Sequence, residues 1–159
     1  MSTLKYSEKT GNIFNYLKND IKLIQCISSE CSPVTELDRA IEEKYHNYSF
    51  IKDKYPNYTW CGKPQIVETP GVINFVLKQY NNQEPDFSCF MRLLYQVTQS
   101  DEAPSRVIIN RRSISNFQNW SEWDLYAGAI REIMGLINCE VIVFYETELL
   151  TVEIKEIGI

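Results

Sequence analysis

The chain has 159 residues and a mass of 18.6 kDa, the size of one ordinary domain, so residues 1–159 are read as a single unit. Apolar residues make up 44% and charged residues 23%, enough for a packed core and too apolar for a chain disordered by composition. Lys plus Arg is 16 against Asp plus Glu at 21, a formal net charge of −5, which argues against broad, sequence-independent nucleic-acid binding because that needs a basic surface.

Leu23–Ser28 (LIQCIS) is a short apolar run that predicts a buried strand. Thr35 followed by Asp38 is a capping-box pattern, and Leu37, Ala40, Ile41 and Tyr45 then share one side of a helical wheel. A helix from about Thr35 to Tyr45 is expected. Tyr48–Lys63, aromatic, polar and interrupted by Pro56 and Gly62, reads as a long loop with one turn of helix at most. Strands are expected at Gln65–Glu68 and Val72–Gln79, joined by the Pro70-Gly71 turn. Asp86 caps a helix carrying Phe90, Leu93, Leu94 and Val97. Arg106–Ile109 is a further strand. Ser121 and Asp124 read as a second capping box, opening a helix with Trp123, Ala127, Ile130, Met134 and Ile137 on one stripe. Val141–Tyr145 is a strand of β-branched and aromatic residues, and Leu150–Ile157 reads as a final edge strand turned back through Thr147-Glu148. Strands interleaved with helices predict an α/β fold, a three-layer α/β/α sandwich with a mixed sheet.

The chemistry is bounded in the same way. Cys26, Cys31, Cys61, Cys89 and Cys139 include no C-x-x-C pair, so neither a zinc site nor a disulfide framework is signalled, and free thiols are expected. His46 is the one histidine, which leaves no multi-histidine metal site or relay; a surface role at a helix end is expected. No metal and no cofactor are expected. No run approaches the roughly 18 apolar residues of a membrane span, and MSTLKYSEKT lacks the apolar stretch of a secretory signal. A cytoplasmic protein without a membrane partner is expected, with nuclear entry left open.

Gly11-Asn12-Ile13-Phe14, then a strand ending QCISSEC, then a helix ending EEKY, resemble the opening of a macrodomain. The resemblance is to the branch holding terminal ADP-ribose protein glycohydrolase and the DNA-directed antitoxin relatives. It is ungapped from Cys26 to Tyr45 and looser through Gly62, Pro70-Gly71, Trp123 and Phe144. The family's first phosphate loop reads roughly R-M-G-x-G-I-A, and its glycines let backbone N–H groups approach a diphosphate. Ser32-Pro33-Val34-Thr35-Glu36-Leu37-Asp38 stands there without a glycine, and Ser113-Ile114-Ser115 replaces a second loop of roughly G-C-G. Glu36 and Asp38 place carboxylates on the helix end that would attract phosphate, which opposes the usual ADP-ribose mode.

The resemblance implies a ligand site at Asn12 and Ile13, at Ser32, Thr35 and Glu36 of the first loop, and at Ser113, Ile114 and Ser115 of the second. Asn12 stands where the family has an Asp that meets the adenine amino group. Phe144 stands where a ring packs on adenine, though a core residue at a strand end is an equal reading. Arg111 and Arg112 have three readings: pairing with phosphate, pairing with Glu36 or Asp38 across the cleft, or simple solvation. Phe117 and Trp120, in the same segment, are read either as base-stacking rings or as core. Lys78 lies near the catalytic lysine position of the glycohydrolases, but Asn116–Asn119, where their acidic partner falls, holds no carboxylate. A protein that recognises ADP-ribose or a related nucleotide without turnover is the leading expectation. Its alternatives are a protein-interaction module or decoy in viral counter-defence signalling, with a protein partner, and an ADP-ribosyl hydrolase.

Overall fold

In the computed structural model, which describes residues 5–17, 20–54, 64–115 and 120–147, the strands form one six-stranded sheet in the order β1-β6-β5-β2-β4-β3. The strands are β1 Tyr6–Gly11, β2 Lys22–Ser28, β3 Gln65–Thr69, β4 Val72–Lys78, β5 Arg106–Asn110 and β6 Glu140–Thr147. The helices are α1 Glu36–Tyr45, α2 Asn47–Lys54, α3 Phe87–Thr98, α4 Arg111–Ile114 and α5 Trp120–Gly135, with a 3₁₀ turn at Ile13–Asn15. Every neighbouring pair is parallel except β3 against β4, so the sheet is mixed, as expected.

Alternation along the strands assigns the layers. Ile24, Cys26, Ile73, Phe75, Val107, Ile109, Val141 and Val143 pack with α3 and α5. Leu23, Val72, Ile108 and Ile142 pack on the other face with the 3₁₀ turn and α1, and Ile27, Val67 and Val76 pack there with Tyr48 and Ile51 of α2. Helices therefore cover both faces, which is why β2 is buried at every position after Lys22.

Local chemistry sets the helix ends. Thr35 Oγ1 accepts from Asp38 N at 3.0 Å while an Asp38 carboxylate oxygen accepts from Thr35 N at 3.1 Å, so the expected capping box opens α1. Asp86 accepts from Ser88 N and opens α3. His46 closes α1 in the left-handed region, φ 53°, its N–H donating to Glu42 O. The chain then continues into α2, where the Glu42 carboxylate accepts from Tyr48 N and Ser49 N at 2.6 and 3.2 Å. Two turns of helix thus begin where a loop was expected, because their cap comes from the preceding helix. A buried amide network locks α2 to the β3–β4 hairpin: Asn47 Nδ2 donates to Asn74 Oδ1, Thr69 Oγ1 donates to Asn47 Oδ1, and Asn74 Nδ2 donates to Val67 O. In the hairpin, Gly71 has φ 85°, and a Cβ there would lie 2.7 Å from the Tyr45 ring.

Two other expectations change. The edge beside β6 is β1, pairing Tyr6 with Val141 and Glu8 with Val143. The expected edge strand Leu150–Ile157 lies outside the described residues. Helix α5 starts at Trp120, so Ser121 sits inside its first turn instead of capping it. β1 is tied to α5 by Glu8, whose carboxylate accepts from Tyr6 Oη at 2.7 Å and from Trp123 Nε1 at 3.1 Å. The Arg131 guanidinium lies 4.4 Å from the Tyr6 ring centre.

Candidate ligand-binding site

Adjacent parallel strands β2 and β5 send their following segments to opposite faces of the sheet, β2 towards α1 and β5 towards α5. Such a divergence leaves a crevice at the carboxyl ends of the strands. A cleft of about 450 Å³ lies there, walled by Cys26–Ser28 of β2, by Ser32 and Val34–Asp38 at the start of α1, by Lys78 and Asn81 after β4, and by Asn110, Arg112 and Ser113 after β5. The size suits a small organic ligand. Its floor is shaped by a bulge: Ile27 pairs with Val76 but Ser28 pairs with Lys78, leaving Leu77 extra in β4.

The α1 side of the cleft is internally neutralised. One Asp38 oxygen accepts from both Val34 N and Thr35 N, at 3.0 and 3.1 Å, so the amides that a ligand phosphate would meet already hold a carboxylate. Glu36 pairs with Arg39 along its own helix at 3.2 Å. Tyr48 shares this wall; its phenol is pushed above the ordinary range, first by burial and then by the Asp38 charge, and it accepts from Gln25 Nε2 at 3.2 Å.

On the opposite wall, Ser113 Oγ donates to Asn110 O at 2.7 Å and accepts from Cys26 N at 3.0 Å, pinning α4 to β2. Burial pushes the Cys26 thiol up to about 12, against a smaller opposing pull from Lys78, so this sulfur stays protonated near neutrality. Lys78 Nζ donates to Asn81 O and Gln83 O, 3.0 Å each. Ser28 Oγ bonds Asn81 Oδ1, and Asn81 N donates to Glu30 at 2.8 Å, which knits the β2 and β4 loops together.

Ser32, Thr35, Glu36, Lys78, Arg112 and Ser113 are thereby brought to one cleft, while the other expected site residues are placed elsewhere. Arg111 lies over the Trp123 ring, 5.1 Å from its centre. Arg112 is exposed and pairs with no carboxylate among the described residues. The pairing of either arginine with Glu36 or Asp38 is not made, since Asp38 is engaged by backbone amides and Glu36 by Arg39. Ser115 Oγ donates to Glu84 at 2.8 Å, and Ile114 is a core side chain. Ile13 is likewise core, and Asn12 caps the 3₁₀ turn by accepting from Phe14 N at 3.0 Å. Phe144 is buried, with the Tyr16 ring 5.3 Å away and tilted by 56°. Phe117 lies outside the described residues, as does the side chain of Trp120. Sequence reasoning passed over Tyr48, Asn81 and Asn110, none of which belongs to a motif; only their places at element ends next to the loops mark them. Among the described residues no cluster of acidic, Cys or His side chains could hold a metal ion.

The chain has the macrodomain fold. No protein-family model and no curated protein matches it. The macrodomain of Thermus aquaticus DarG superposes with a TM-score of 0.64 at 15% identity, over 87% of this chain and 97% of that one. The Mycobacterium tuberculosis DarG macrodomain gives 0.57 at 14% identity, over 79% and 88%. Thermosipho africanus DarTG, solved in complex with ADP-ribose, gives 0.58 at 11% identity, over 79% of this chain and 37% of that one.

Proposed function

We propose that the chain recognises ADP-ribose or a related nucleotide in this cleft and does not turn it over. The observation that carries the reading is the open cleft at the point where β2 and β5 diverge, in a fold one of whose solved examples, the Thermosipho africanus DarTG, is a complex with ADP-ribose. Arg112 on its lip supplies a cation for an anionic group. Absence of turnover is supported by the Lys78 ammonium being engaged by two carbonyls and by the lack of a carboxylate in Asn116–Asn119. Calorimetric titration with ADP-ribose should give saturable binding, about tenfold weaker in Arg112→Ala because a charge-assisted contact is lost. ADP-ribose released from a modified protein or DNA, and no longer released by Lys78→Ala, would replace this reading with a hydrolase.

One observation favours a second reading, a protein-interaction module: the Asp38 carboxylate already holds the Val34 and Thr35 amides. A folded protein that gives no heat with ADP-ribose would leave that reading. Capture of a partner protein lost in Arg112→Ala would then support it.

A further inference from the structure

Buried polar side chains in a folded protein are hydrogen-bonded almost without exception, because an unpaired one forfeits its hydration for nothing. Ser28, Asn47, Thr69, Asn74 and Thr98 each make at least one side-chain hydrogen bond, and Gln25 bonds through Nε2 while its buried Oε1 has no partner among the described residues. Asn110 differs. It is 3% exposed and precedes α4 without capping it; no hydrogen bond reaches its side-chain amide among the described residues. It lines the cleft. The backbone around it is fixed: Asn110 pairs with Phe144 in the sheet, and its carbonyl accepts from Ser113 Oγ. A donor pair and an acceptor are therefore held on a fixed backbone beside the cleft.

We propose that Asn110 is the ligand-reading side chain of the cleft, its amide donating to and accepting from the hydroxyls of a sugar ring. The Ser28 and Ser113 hydroxyls that share the cleft are engaged by protein groups, which leaves the hydroxyls of a ligand to the Asn110 amide, whereas the anionic part of the ligand belongs at Arg112. Asp38 closes the other possibility, since the α1 amides it holds are unavailable to phosphate. The ligand class is a hydroxylated sugar carrying an anionic group. The inference rests on the nucleotide reading above but makes a separate demand on one residue.

The test uses Asn110→Leu, an apolar side chain of similar size. If the amide serves a ligand and no protein group, its loss leaves the melting midpoint unchanged or higher while ADP-ribose affinity falls roughly tenfold or more. Unchanged affinity overturns the inference and leaves the nucleotide reading standing. A clearly lower midpoint shows that the protein itself uses the amide, and also overturns it. A second measurement needs no variant: the side-chain ¹⁵N–¹H pair of Asn110 in the wild-type protein, followed during titration with ADP-ribose and separately with ribose 5-phosphate. It should shift with both. A shift with ribose 5-phosphate and no binding of ADP-ribose supports Asn110 and removes the nucleotide reading; no shift with either ligand overturns the inference.

Discussion

Asp38 answers two demands with one carboxylate. It closes the capping box of α1, and it fills the anion niche formed by Val34 N and Thr35 N. The two roles have opposite consequences for the same substitution. Asp38→Ala should cost about 1 kcal/mol of stability through loss of the cap, read as a melting midpoint lower by several degrees. The same variant should bind ADP-ribose more tightly, because the freed amides and helix end then favour an anion. A weaker titration in Asp38→Ala would show that its carboxylate aids the ligand. The cap was legible in the sequence because Thr35 and Asp38 have the required spacing. That Glu36 turns to Arg39 was not, since a carboxylate at a helix start fits several local partners equally well. Asn110 was illegible for a different reason: its distinction is a missing bond, which no spacing records.

Among the elements, those with strong periodicity or their own caps could be read, and those stabilised from outside could not. β2, β4, β5 and β6 are apolar runs buried between two helical layers. β1 reads YSEKTG and is half-buried throughout all but one position; it becomes a strand because β6 offers a parallel edge and Glu8 finds Tyr6 and Trp123. α2 reads NYSFIKDK, with few apolar positions, and depends on Glu42 and on the amide network. That dependence is testable. Asn74→Ala removes a buried partner of Asn47 and of Val67 O, so it should destabilise by about 1–3 kcal/mol. Amide exchange should accelerate first in α2 and β3, before β5 and β6; uniform acceleration across the sheet would contradict the local role. At the hairpin, Gly71→Ala meets both a positive φ and the Tyr45 ring, and its melting midpoint should fall by an amount reflecting about 1–2 kcal/mol of backbone strain plus the ring contact.

Over the whole molecule, the core between the sheet and helices α3 and α5 contains acids that burial keeps protonated. The Cys26 and Cys139 thiols are each raised from 9.0 to about 12, chiefly by burial. Tyr126 moves from 10.0 to about 12 for the same leading reason. In the unfolded chain these groups lose their protons at the lower values, so above pH 9 the unfolded state binds fewer protons than the native one. Stability then falls as pH rises, beginning near 9 and continuing to about 12. Melting midpoints measured from pH 7 to 10.5 should decline above 9, and the decline should be shallower in Cys26→Ala/Cys139→Ala. An equal slope in that variant would assign the effect to other groups. The same protonation should leave both thiols unreactive towards iodoacetamide at pH 8 while the protein is folded.

The Glu8 bridge between β1 and α5 also equips the protein with an optical sensor. The Trp123 indole is 1% exposed, hydrogen-bonded to a carboxylate on the edge strand and overlaid by the cation of Arg111, whose chain neighbour Arg112 stands on the lip of the cleft. Emission from this ring therefore reports on two distant places through one fluorophore. With Trp60→Phe and Trp120→Phe as background, departure of β1 should redden the spectrum by admitting water to the indole. A ligand drawing on α4 should instead change the quenching by Arg111 while the wavelength holds, so detachment of the edge and occupancy of the cleft can be told apart in a single cuvette.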